Sequence, residues 1–146
     1  MELRNTPWVN KFRRAAIAHE EGARYLLSHC SPKSASTLCG EVVYLSGYVG
    51  ECGLKAVLMN WTPDSRHSKL IESFKKPNGA GRDLEKLRSA LLGKGCPIPV
   101  QLTREVRLLA SRWFSGMRYE GRRFHHGDAT RLYGAGKFIL DWVLEV

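Results

Sequence analysis

Between Arg104 and Arg131 the chain carries seven arginines, no lysine and three acids. Arg118, Arg122, Arg123, His125 and His126 stand in this stretch, with Tyr119 and Phe124 among them and Arg112 just ahead. A guanidinium is planar and offers a phosphate two parallel charge-assisted hydrogen bonds. A neutral imidazole, with an unperturbed pKa of about 6.5, can take or return a proton near neutral pH. An Arg and a His brought together can therefore cleave RNA without a metal. The imidazole acts as base on the ribose 2′-OH or as acid on the leaving 5′-oxygen, and the guanidinium stabilises the charge that builds on the phosphate. RNA is required because DNA lacks the 2′-OH. Six residues lie between Arg118 and His125. That pair is the candidate catalytic centre, with His126 as the fallback. Arg112, Arg122 and Arg123 would bind the RNA backbone, and Tyr119 would stack on an unpaired base. The plain alternative for the same residues is a solvated basic loop with two surface histidines.

The composition fits this chemistry. The formal charge is +9 and the pI about 9.7. Such a surplus favours polyanionic partners, nucleic acid first and acidic protein or membrane surface second. With 146 residues and 43% hydrophobic side chains, the chain reads as a single helical domain over 1–146. Cys30, Cys39, Cys52 and Cys96 show no CxxC pair and no zinc-ligand spacing, so neither a metal nor a cofactor is expected. Scattered cysteines without a signal peptide suggest reduced thiols and a cytoplasmic location. No long uncharged apolar run occurs, so no membrane span is expected.

The element that must position these groups is the stretch 34–61. Leu38, Val42, Leu45, Val49, Cys52, Ala56 and Met59 recur at steps of 4 and 3, the spacing of one helical stripe. Gly47, Gly50 and Gly53 form a second row, which predicts another helix packed close against the backbone. Each glycine costs a helix about 1 kcal/mol against alanine, so the row implies such a gain. Glu51 and Lys55 stand at i, i+4, worth about 0.2–0.5 kcal/mol if exposed. Residues 1–7 read as a polar lead-in, with Thr6 as cap and Pro7 in the first turn of a helix reaching about His29. Phe12, Ala16, His19, Ala23, Leu26 and Leu27 would form its inner face, and Glu20 and Glu21 its outer one. A tight turn at 31–34 then predicts an antiparallel pair. The segment 62–80 reads as a loop-rich connection with one or two helical turns near Leu70. Further helices are expected over 81–92, with Asp83 near its start and Gly93 as its C-terminal cap, over 100–116, and from a cap at Asp128 to the C-terminus. The fold class is all-α, an up-and-down bundle of four main helices plus one or two short ones.

Three segments resemble a known family. YLSGYVGECGLKAVL at 44–58 looks like the signature second helix of HEPN-domain proteins, through Gly47, Tyr48, Glu51, Cys52, Leu54, Lys55, Ala56 and Leu58. GRDLEKL at 81–87 is similar to the family's G-H-D-L-x-x-L, with Arg82 where His is usual. RWFSGMRYEG at 112–121 is similar to its W-x-x-x-x-R-Y segment, through Trp113, Arg118 and Tyr119. The resemblance implies a helical bundle, often a homodimer, with members in toxin–antitoxin, abortive-infection and RNA-processing systems. Nuclease members carry Arg, four to six residues and then His, and the motifs of two protomers meet at the dimer interface. Arg118 and His125 match at the upper limit of that spacing. The function expected is a metal-independent endoribonuclease leaving 2′,3′-cyclic phosphate ends. The alternative is a catalytically silent module that binds RNA, nucleotides or a nucleotidyltransferase-type antitoxin. The chain departs from the nuclease pattern at Tyr119, where a polar Asn, Asp or His is usual, and at Gly127, where the toxins paired with nucleotidyltransferases often have Tyr. Glu51 would be the natural salt-bridge partner of Arg118, with Lys55 beside it in a supporting role.

Overall fold

Ser36 starts the central helix. Its backbone is extended and its Oγ accepts a hydrogen bond from the Cys39 N–H at 3.1 Å. The computed structural model describes residues 2–77 and 79–145, apart from the side chain of Arg118. The protein is an all-α helical bundle. The helices are α1 (Pro7–Leu27), α2 (Thr37–Asn60), α3 (His67–Phe74), α4 (Leu84–Gly93), α5 (Val100–Arg112) and α6 (His126–Glu145). Short 3-10 turns cover Asp64–Arg66, Ala80–Arg82 and Met117–Glu120. Among the described residues one antiparallel bridge, Ser36 to Phe124, is the only β-type pairing.

From Val49 to Met59 every residue of α2 is buried. The helix therefore has no solvent face over these turns, which is how a core helix differs from an amphipathic surface one. By length and composition α2 could cross a membrane, but most of it is buried inside this bundle. Its neighbours settle the topology. Lys55 faces Phe12, Tyr48 faces His19 and Leu45 faces Gly22, so α1 runs antiparallel to α2. Gly50 meets Ile139 and Gly53 meets Val143, while the Ser46 carbonyl lies beside Gly136, so α6 runs parallel to α2. Gly47 meets Trp113 and Gly50 meets Leu109, so α5 returns antiparallel. The up-and-down arrangement of α1, α2, α5 and α6 follows.

Several local expectations need correction. Glu20 does not lie on the outer face of α1. It is buried and accepts a hydrogen bond from Tyr133 Oη of α6 at 2.7 Å. α4 does end at Gly93, but Lys94 rather than Gly93 caps it. Gly95, at φ +81°, makes the left-handed turn, with Gly95 N–H donating to Leu92 and Cys96 N–H to Leu91. α5 stops at Arg112 rather than reaching 116, and Phe114 beyond it is exposed. α6 begins at His126, so Asp128 sits inside its first turn instead of capping it. The segment 62–80 does carry its short helical piece around Leu70, as α3 with a 3-10 turn before it. The lead-in is also tied down. Arg4 Nη2 donates to the Asn60 and Thr62 carbonyls at 2.9 and 2.8 Å, closing off the end of α2.

A candidate nucleic-acid surface at the α5–α6 connection

The connection between α5 and α6 crosses one end of the bundle. Trp113 anchors its start. The ring is buried, Nε1 donates to the Tyr44 carbonyl at 3.0 Å, and the face lies where a Cβ at Gly47 would have to sit. After the turn Met117–Glu120, Gly121 adopts φ +59° and reverses the chain. Phe124 anchors the far side. It is buried, and its N–H and carbonyl exchange hydrogen bonds with Ser36 at 3.1 and 3.0 Å. The Arg122 carbonyl lies so close to Gly40 that α2 has no room for a side chain there. Between two buried aromatic anchors the polar residues are left outside.

Arg122 donates from Nε to Glu120 at 2.9 Å and lies over the exposed Phe114 ring at 5.1 Å. Arg123 donates to the Ala35 carbonyl at 2.9 Å. Arg112 lies over the Phe124 ring at 5.1 Å and 3.8 Å from Asp128. Tyr119 is 90% exposed, the barest of the large hydrophobic side chains. His125 is exposed and its carbonyl accepts from Ala129 N–H in the first turn of α6, while His126 is half-buried. The Arg118 side chain lies outside the described residues, so its approach to His125 and to Glu51 lies outside them too. The structure thus brings Arg112, Tyr119, Arg122, Arg123, His125 and His126 to one connection. A shallow hollow of about 250 Å³ opens beside it, lined by Thr37, Glu41, Met117, Gly121 and Arg122 among others.

The other two expected residues lie deeper in the bundle. Glu51 and Lys55 form an ion pair at 3.2 Å, and both are buried. Lys55 Nζ lies 5.6 Å from the Phe12 ring and 5.0 Å from that of Phe74. Burial raises the Glu51 carboxyl above its ordinary range, opposed by Lys55 and then Arg82. Among the described residues Glu51 Oε1 has no hydrogen-bond partner. Around them Tyr48 touches His19, Tyr44 and Trp113. Burial lowers the His19 pKa.

His67 falls in the segment 62–80 that reads as a loop-rich connection, yet it starts α3. His67 is buried, and its Nε2 lies 2.9 Å from both the Met59 and Thr62 carbonyls. Two carbonyl acceptors require a hydrogen on that nitrogen. The ring is a structural donor that ties α3 to the end of α2. Among the described residues no His, Cys, Asp and Glu side chains group so as to hold a metal ion. Compared with family models, curated proteins and solved structures, the chain matches none of them.

Proposed function

We propose that the chain is a metal-independent endoribonuclease of HEPN type, cytoplasmic and acting as a homodimer in a toxin or defence system. The observation that supports this most is the connection itself, with exposed Tyr119, Arg122 and Arg123 held between Trp113 and Phe124 and exposed His125 directly after. In this reading Arg112, Arg122 and Arg123 bind phosphates and Tyr119 stacks on a base. His125 takes the proton of a ribose 2′-OH, whose oxygen attacks the adjacent phosphorus. The 5′-oxygen leaves with a proton, and the products are a 2′,3′-cyclic phosphate and a 5′-hydroxyl. Arg118 stabilises the negative charge on the phosphate as the bonds change. His126 takes the place of His125 if the latter is dispensable.

Tyr119 favours a second reading. Its bare ring stands directly after Arg118, where nuclease members of the resembled family usually have a polar side chain. A silent module with this surface would bind RNA, nucleotides or an acidic partner such as a nucleotidyltransferase without turnover. One experiment separates the two. RNA is incubated in EDTA with the wild type and with His125→Ala and His126→Ala, and products are tested for cyclic phosphate ends. The nuclease reading expects cleavage by the wild type and a loss of about 100-fold or more in one variant, the usual size of a general acid–base contribution. Salt-sensitive binding with no cleavage by any form selects the silent module.

A further inference from the structure

A second basic region lies away from the α5–α6 connection. Arg66, Lys69 and Lys94 surround a groove of about 390 Å³ floored by Leu70 and bounded by Ser73 of α3. Phe74, the next residue, bounds a separate hollow of about 460 Å³ that Lys75, Lys76 and Arg82 line. Among the described residues no acidic side chain lines either one. Ser115 closes the second hollow, and Ser115 belongs to the connection that carries Tyr119 and Arg122. The two hollows therefore flank the last turn of α3, and the second one adjoins the candidate site.

The charges are available. Among the described residues Arg66, Lys69, Lys76 and Lys94 form no ion pair, while the charge of Arg82 also acts on the buried Glu51 carboxyl. Nearby acids are already committed. Asp64 pairs with Arg4 at 2.8 Å, Glu85 with Arg88 at 2.9 Å, and Asp83 caps α4. Glu72 pairs with Lys75 at 3.2 Å, on the exposed side. Several cations without an ion-pair partner, lining two hollows that flank the end of α3, suit a chain of phosphates better than a single anion.

We propose that the two hollows and the connection form one path for single-stranded RNA, running from Lys94 and Lys69 past the end of α3 to Ser115 and the arginines beyond. This rests on the reading of the chain as an RNA-binding protein. The α3 groove holds the backbone of the strand away from the cleavage point, so long RNAs bind more tightly than short ones.

The test uses 2′-O-methyl oligouridines, which lack the attacking hydroxyl and stay intact. Lengths of about 4 and about 16 nucleotides bracket the usual span of one single-strand site. The full chain is compared with a triple variant, Arg66→Ala, Lys69→Ala and Lys94→Ala, and with Arg122→Ala, Arg123→Ala. All five side chains are exposed, and circular dichroism checks that each variant is folded. The long oligomer is expected to bind the triple variant about tenfold or more weakly, with its salt slope reduced by about 2, near 0.7 per lost contact. The short oligomer should be unaffected by the triple change and weakened by the arginine pair. If the triple variant binds the long oligomer as the wild type does, while the arginine pair weakens both, the path ends at the connection and the proposal falls, with RNA binding intact. If the wild type binds neither oligomer but binds polyglutamate, both the path and the RNA reading fall, and the surface belongs to an acidic protein.

Discussion

At Glu51 and Lys55 two charges sit in the body of the bundle, 3.2 Å apart, with one carboxylate oxygen unpartnered among the described residues. A buried pair of this kind is weak evidence for stability, because desolvation offsets much of the attraction. Breaking it is a different matter. Lys55→Met should destabilise the protein by about 3–5 kcal/mol in urea unfolding near pH 7.5, since a buried carboxylate loses its counter-charge. The double variant Glu51→Leu with Lys55→Met should recover most of that loss. The pH dependence has a fixed sign. Burial already raises the Glu51 pKa, and removing Lys55 raises it further. Stability from a raised carboxyl is present below its unfolded pKa, about 4.3, and is lost as pH rises through the folded value. The penalty of Lys55→Met should therefore shrink as the pH is lowered toward 4.3, relative to wild type. Urea midpoints that stay parallel across this range would remove the explanation. The i, i+4 spacing made the pair legible in the sequence. Its burial was not, because the rings that enclose Lys55 come from Phe12 and Phe74, outside α2.

At the scale of elements, the glycine row of α2 is where sequence and structure agree most closely. Each of Gly47, Gly50 and Gly53 faces a side chain from α5, α6 or the residue after α5. Gly47 is the tightest, since a Cβ there would fall inside the indole of Trp113. Gly47→Ala gains about 1 kcal/mol in helix propensity but must displace a buried ring held by its hydrogen bond to Tyr44. The net effect should be a loss of about 2 kcal/mol, within the usual cost of overpacking. Gly93→Ala is the control, because nothing lies near that position. A thermal melt in which the Gly47 variant is as stable as the Gly93 one would show that Trp113 moves aside at no cost. The Thr6 cap was legible because capping is local chemistry. The burial of Glu20 and His67 was not. Glu20 is held by Tyr133, far along the chain, and His67 by carbonyls freed at the end of α2.

Across the whole molecule, the +9 surplus has a spatial pattern that a linear reading shows only in part. The arginine cluster of 104–131 stands out because it is continuous in sequence. The groove of Arg66, Lys69 and Lys94 does not, since α3 and the end of α4 meet only in the fold. The cysteines show the same contrast. All four are buried as free thiols, and burial raises Cys30 and Cys52 to about 12. At pH 8 a thiol reagent should therefore react with the folded protein only through opening of the structure, and rapidly with all four in urea. Immediate labelling of Cys52 in the folded state would mean that the helices around α2 separate readily.

The bridge at Ser36 has a mechanical consequence. One residue caps the first turn of α2 through its side chain and clasps Phe124 through its main chain. A strand of polymer tugging on Arg122 or Arg123 would load the bundle's innermost rod at its tip, so tension at the surface reaches the centre without crossing a hinge.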